Sequence, residues 1–352
     1  MLSKTYYSLL DGVRFFAAFW VMNFHYLGGL ELSATVSWYR YGNLGVQLFF
    51  IISGFVIIQS LHGKTLKQFM QGRLIRLFPL FWILCTVTYI LTLVIPHAAH
   101  VIFPEYLVNM TMLTDLFNGK VGGGALVDAS YWTLTVELIF YTGVGVFTSL
   151  FSYDKIRYFL MAWLACTMVA FALHIDQNYF VKLLLVRHAS YFIFGSSLAL
   201  ISTQQAKHLY EKYIDHALLF GSAIYATYIH TRAIPAYVTP NMADNHIITV
   251  LHIVFFVSIP LLVYLSQYVT HPRIITLLTI LGGLTYPLYL LHQRIGNVLI
   301  NALSSMCHVS WNTLAISFEV VIICAAYVVY VQDKKLRRWV TSLCTQTKLP
   351  RS

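Results

Sequence analysis

The chain has 352 residues, 58% of them apolar and 16% aromatic, and only 10% carry charge. Soluble domains average about 25% charged residues, so this composition excludes an ordinary cytosolic enzyme; at about 20 apolar residues per crossing, the length accommodates many membrane spans. The formal charge of +10 does not imply a nucleic-acid partner, because the bases cluster between apolar runs, where they read as topology signals.

A window of about 19 residues places spans near residues 9–30, 43–60, 77–95, 132–151, 157–174, 182–201, 215–231, 246–269, 275–300 and 311–331. The expected fold is all-α, a polytopic membrane protein of about ten transmembrane helices. Asp11, Arg14 and His25 interrupt the first run and no small-x-small cleavage site follows it, so it reads as a permanent span rather than a signal peptide. With the N-terminus inside, sixteen Lys and Arg residues fall in cytoplasmic segments, among them Arg73, Arg76, Lys155 and Arg157. The opposite loops hold Arg40, Lys120 and Arg232, or five bases when Lys182 and Arg187 are added. This asymmetry puts both termini in the cytoplasm.

On the first span His25 follows Arg14 by eleven residues, which leaves about 20° after three full turns, so the two share a face about 16 Å apart along the axis. A lone membrane histidine more often bonds a neighbouring helix than does chemistry, and both readings of His25 stand on spacing alone. Arg73 and Arg76, at i and i+3 ahead of the third span, suit bidentate phosphate binding or plain topology anchoring equally. Arg14, with Asp11 at i−3, lies near the same surface and completes a basic mouth for a phosphorylated ligand.

Residues 96–131 form a long non-cytoplasmic loop holding Glu105, Asp115, Asp128 and Gly122-Gly123-Gly124; loops of that length have a function or are disordered. His97 and His100 have helical ligand spacing but follow Pro96 and lack a third ligand, so no metal is expected. Glu137, five residues into the fourth span, enters at a depth similar to that of His25, and His292 on the ninth span falls in the same layer or slightly deeper. A buried base beside a carboxylate suits acid/base catalysis, and a structural carboxylate fits Glu137 as well. His252 reads as structural. Five cysteines show no CxxC or zinc pattern, and the chain has no internal repeat.

Five motifs in order resemble those of the integral-membrane acyltransferase-3 family, which includes bacterial surface-polysaccharide O-acetyltransferases. They are Leu10-Asp11-Gly12-Val13-Arg14 through to His25; Gly45-Val46-Gln47-Leu48-Phe49-Phe50-Ile51-Ile52-Ser53-Gly54-Phe55; Arg73 and Arg76 before the aromatic run to Trp82; Trp132-Thr133-Leu134-Thr135-Val136-Glu137 with Phe140-Tyr141; and Thr285-Tyr286-Pro287-Leu288-Tyr289-Leu290-Leu291-His292. Departures from the family pattern are Pro287, Thr133, Thr285 and Leu138.

The resemblance implies one transmembrane domain over residues 1–332 with a short basic cytoplasmic tail at 333–352. It implies an O-acyltransferase of the bacterial inner membrane, with acetyl-CoA as donor substrate, a hydroxyl of a surface polysaccharide or lipid-linked glycan as acceptor, and neither a bound cofactor nor a metal. His25 and Glu137 are then the expected catalytic residues. Arg14, Arg73 and Arg76 take the donor, and His292, Asp11, Trp132 and Ser53 contact the acceptor or support the site. A proton-coupled or solute transporter using the buried His and Glu is the rival from another class, a non-catalytic scaffold is a second, and acyl transfer to a non-glycan acceptor is a variant of the lead.

Overall fold

The computed structural model describes residues 6–27, 37–95, 101–114, 126–232, 242–308 and 310–346, and among these there is no strand. Among the described residues seven helices are long and apolar enough to cross a membrane. The protein is an all-α integral membrane protein.

The helices follow the expected order. They are α1 (Ser8–Leu27), α2 (Gly45–Leu61), α3 (Leu66–Val94), α4 (Phe103–Asn109), α5 (Trp132–Phe151), α6 (Ile156–Ala172), α7 (Ala189–Ser202), α8 (Leu209–Arg232), α9 (Met242–Ser266), α10 (Pro272–Leu291), α11 (Gln293–Cys307) and α12 (Trp311–Gln346). Local chemistry explains several boundaries. α2 stops where His62 leaves helical geometry and Gly63 takes φ of +72°, a left-handed conformation open to a residue without Cβ. Ser152, at φ +78°, turns the chain between α5 and α6.

Several elements differ from their sequence-based expectations. α3 begins at Leu66 rather than near 77, so Arg73 and Arg76 stand on the helix itself and not ahead of it. The sixth run yields only fourteen helical residues, because residues 183–188 form turns after a short helix at Tyr179–Lys182. The ninth run is interrupted at His292 and continues as α11 to Cys307, beyond the expected end near 300. The long 96–131 loop carries α4 and a 3-10 turn at Ala129–Tyr131; Gly122-Gly123-Gly124, Asp115, His97 and His100 lie outside the described residues. The segment expected as a tail from residue 333 prolongs α12 as far as Gln346.

The chain divides into two units, the first comprising Met1–Val21, Arg40–Leu66 and Val136–Gly282, and the second Met22–Tyr39, Lys67–Thr135 and Gly283–Ser352. In the first, α2 and α7 pack backbone against backbone. A Cβ on Gly54 would overlap the Phe192 carbonyl, and one on Gly195 would overlap the Ile51 carbonyl. Small residues allow this approach in a bilayer, where dispersion and close packing drive helix association. Phe50 stacks on Phe192 at 4.7 Å, and Phe192 on Phe140 at 4.3 Å. Arg157, counted above among the cytoplasmic topology bases, is only 2% exposed; it pairs with Glu211 at 2.6 Å and Asp215 at 3.1 Å across α6 and α8.

In the second unit, side chains close gaps between elements by bonding to backbone carbonyls. Trp82 Nε1 donates to Met110 O at 2.9 Å, Thr135 Oγ1 to Met112 O at 2.6 Å and Tyr286 OH to Leu77 O at 2.9 Å. Asn109 Oδ1 accepts from the Val127 amide at 3.0 Å and so ties the two described ends of the long loop together.

Candidate active site

The expected site residues fall into separate clusters. In the first unit, Asp11 accepts from Arg14 Nη1 at 3.3 Å, one turn along α1, and also from the Tyr6 hydroxyl. A Cβ on Gly282 would touch Asp11, so the carboxylate side chain lies flat against α10 at a position that only glycine permits. Tyr6 precedes the span; burial first, and then its bond to Asp11, push its hydroxyl up to about 12.

A second cluster in the same unit joins two of the predicted residues. Ser53 Oγ on α2 donates to Glu137 Oε1, and Tyr141 OH, one turn further along α5, donates to Glu137 Oε2 at 2.9 Å. Both carboxylate oxygens therefore accept from hydroxyl donors. Apart from these clusters, Tyr191 OH lies 3.2 Å from His252 Nε2 and 3.4 Å from His230 Nδ1, so His252 sits in a helix-to-helix hydrogen-bond position.

The second unit contains a different arrangement. His25, near the end of α1, faces His292 with ring centroids 5.3 Å apart and planes inclined by 40°. His292 is fully buried, and its Nδ1 lies 2.8 Å from the Tyr289 carbonyl, which can only accept. That contact puts the proton on Nδ1 and leaves Nε2 as a bare lone pair, with no hydrogen-bond partner among the described residues. Tyr26, beside His25 in sequence, donates to the His292 carbonyl at 2.5 Å, and its hydroxyl occupies the space that a Cβ on Gly296 would need.

Asp128 anchors this cluster, and sequence reasoning had placed it only in a loop. It is fully buried; Oδ1 accepts from the Ser130 amide at 2.8 Å and the Ser130 hydroxyl at 2.7 Å, and Oδ2 from the Arg294 amide at 2.7 Å. The carboxylate thus links the segment before α5 to the start of α11, within electrostatic range of His292. Tyr289 OH adds bonds to Ser130 O at 2.7 Å and to Thr133 Oγ1 at 2.6 Å. Trp132 opens α5 half-buried, next in sequence to these residues.

Arg73 and Arg76 occupy one face of α3, half-buried, with the Arg73 guanidinium 5.6 Å from the centre of the Phe69 ring. Two planar cations one turn apart suit a polyphosphate, whose oxygens take paired hydrogen bonds. Among the described residues no group of three or more His, Cys, Asp or Glu side chains is placed to hold a metal ion. Arg294 and Glu319 were missed in the sequence although both interrupt apolar runs, the same signal that singled out His25.

A family model described as an acyltransferase domain matches residues 7–331 of the chain. No curated protein and no solved structure matches it.

Proposed function

The chain belongs to the acyltransferase-domain family, and from that premise we propose that this membrane acyltransferase moves an acetyl group from cytoplasmic acetyl-CoA to a hydroxyl of a surface polysaccharide or lipid-linked glycan. The membrane in this reading is the bacterial inner membrane. The observation that carries the reading is the facing pair of half-buried His25 and buried His292, the latter ring held in a single tautomer by the Tyr289 carbonyl.

His25 takes the proton from the acceptor hydroxyl as its oxygen attacks the thioester carbonyl; the C–S bond then breaks and CoA leaves as thiolate, to be protonated in water. On the second route the His25 imidazole attacks the thioester, the C–S bond breaks and CoA leaves as thiolate; the acceptor hydroxyl oxygen then attacks the acetyl-imidazole, and its proton returns to the imidazole nitrogen as the C–N bond breaks. His292 supplies a lone pair within the same buried cluster in either case. Arg73 and Arg76, on one face of α3 in the second unit, are assigned the donor phosphates. Glu137, fed by the Ser53 and Tyr141 hydroxyls, is the proposed carboxylate of its own unit, with Asp11 holding Arg14.

Mass spectrometry of surface glycans and lipids tests this, comparing cells that carry the intact protein with cells that carry His25→Ala at matched membrane abundance. Loss of an acetyl-sized increment in the variant supports the reading and identifies the acceptor. Identical profiles overturn it, and solute flux without covalent change would place the protein among the carriers.

A further inference from the structure

Beside the histidine pair, the second unit holds three buried oxygens without a hydrogen-bond partner among the described residues: Gln293 Oε1, Asn297 Oδ1 and Glu319 Oε1. Gln293 and Asn297 are i and i+4 on α11 and so share a face, and Glu319 lies on α12, which packs against α11. Tyr26 locates the group. Its hydroxyl rests on Gly296 between the two amides in sequence, its carbonyl accepts from Trp311 Nε1 at 3.1 Å, and Glu319 lies within its electrostatic range.

An unmet buried polar atom costs about 1–3 kcal/mol, and three on adjacent helices imply an occupant that meets them together. All three are acceptors. A phosphate or another carboxylate, offering acceptors, would leave these three oxygens unmet, whereas neighbouring sugar hydroxyls offer several donors at close spacing and acceptors as well. Arg294 Nε, a buried donor also without a partner among the described residues, is rotated about 100° from Gln293 and about 60° from Asn297 around α11, and it could meet an acceptor oxygen of the same occupant.

We propose that Gln293, Asn297 and Glu319 form the acceptor subsite, holding a polyhydroxylated sugar by its hydroxyl donors so that one hydroxyl reaches His25. This rests on the glycan acyltransfer reading above and names the residues that select the acceptor. The experiment uses the full chain in detergent micelles, labelled acetyl-CoA as donor and surface polysaccharide freed of esters by mild alkali as acceptor. Glu319→Leu and Asn297→Leu should each raise the half-saturating polysaccharide concentration about tenfold, the worth of one hydrogen bond, with the half-saturating acetyl-CoA concentration unchanged. Glu319→Gln keeps an acceptor oxygen and should raise it less; this variant decides the matter if the leucine variants are lost from the membrane. Unchanged polysaccharide dependence, or an equal shift for the donor, overturns the subsite while leaving acyltransfer standing. Absence of label transfer by the unsubstituted protein overturns the glycan reading, and the subsite with it.

Discussion

The imidazoles of His25 and His292, 267 residues apart in the chain, face each other with ring centroids 5.3 Å apart, and the Tyr289 carbonyl fixes which nitrogen of His292 carries its proton. A histidine with one nitrogen committed to a carbonyl has its other nitrogen held as a base.

Replacing His292 by Phe keeps an aromatic ring against Tyr289 and removes that lone pair. The variant should reach the membrane at normal abundance and transfer acetyl about 100-fold more slowly, at the low end for loss of a general acid–base group. Initial rates with labelled acetyl-CoA check this. A rate within twofold of the unsubstituted protein would exclude His292 from the chemistry.

Asp128→Ala removes three hydrogen bonds at once and strands the Ser130 and Arg294 amides in a fully buried site. The expected loss is about 3 kcal/mol or more, read as a lower thermal midpoint in detergent. Asp128→Asn keeps one acceptor oxygen and should fall between the two.

Arg157 lies between Glu211 and Asp215, so Arg157→Ala leaves two carboxylates facing each other without a cation. Breaking such a buried pair costs about 3–5 kcal/mol. The triple variant Arg157→Met, Glu211→Gln, Asp215→Asn should recover much of the lost midpoint, since it removes the uncompensated charges as well.

Arg76→Ala should raise the half-saturating acetyl-CoA concentration about tenfold or more, the worth of a charge-assisted hydrogen bond, with little effect on acceptor dependence. Arg76→Lys should restore only part of it, because an ammonium lacks the planar fork. Unchanged donor dependence in both variants would remove the phosphate role.

At the interface of α2 and α7, Gly195→Leu places a side chain where the Ile51 carbonyl already lies. The helices cannot separate without exposing their packed faces, so the protein should disappear from the membrane fraction on immunoblotting. Gly143→Leu, at a position where a Cβ meets nothing, is the matched control.

The membrane class, the order of the helices and the motif positions were legible in the residues alone, because partitioning into a bilayer depends on apolar content summed along the chain, and the motifs are local. Helical spacing also placed Arg14 and Asp11 one turn apart, and they do pair. Tertiary structure decided which polar groups meet. Asp128 read as one acid in a long loop and became a buried anchor, because its partner, the Arg294 amide, is 166 residues away. Ser53 and Glu137 join across 84 residues, and Arg157, read as a topology charge, is instead buried between two carboxylates. The interruption at His292, which turns one expected span into α10 and α11, was smoothed over by a hydropathy window of about 19 residues, which averages the polar Gln293, Arg294 and Asn297 with the apolar residues before His292 and from Val298 to Ile300. Hydropathy is a one-dimensional sum, whereas a buried polar atom is stabilised only by a partner within about 3 Å, and that distance exists only once the helices have packed.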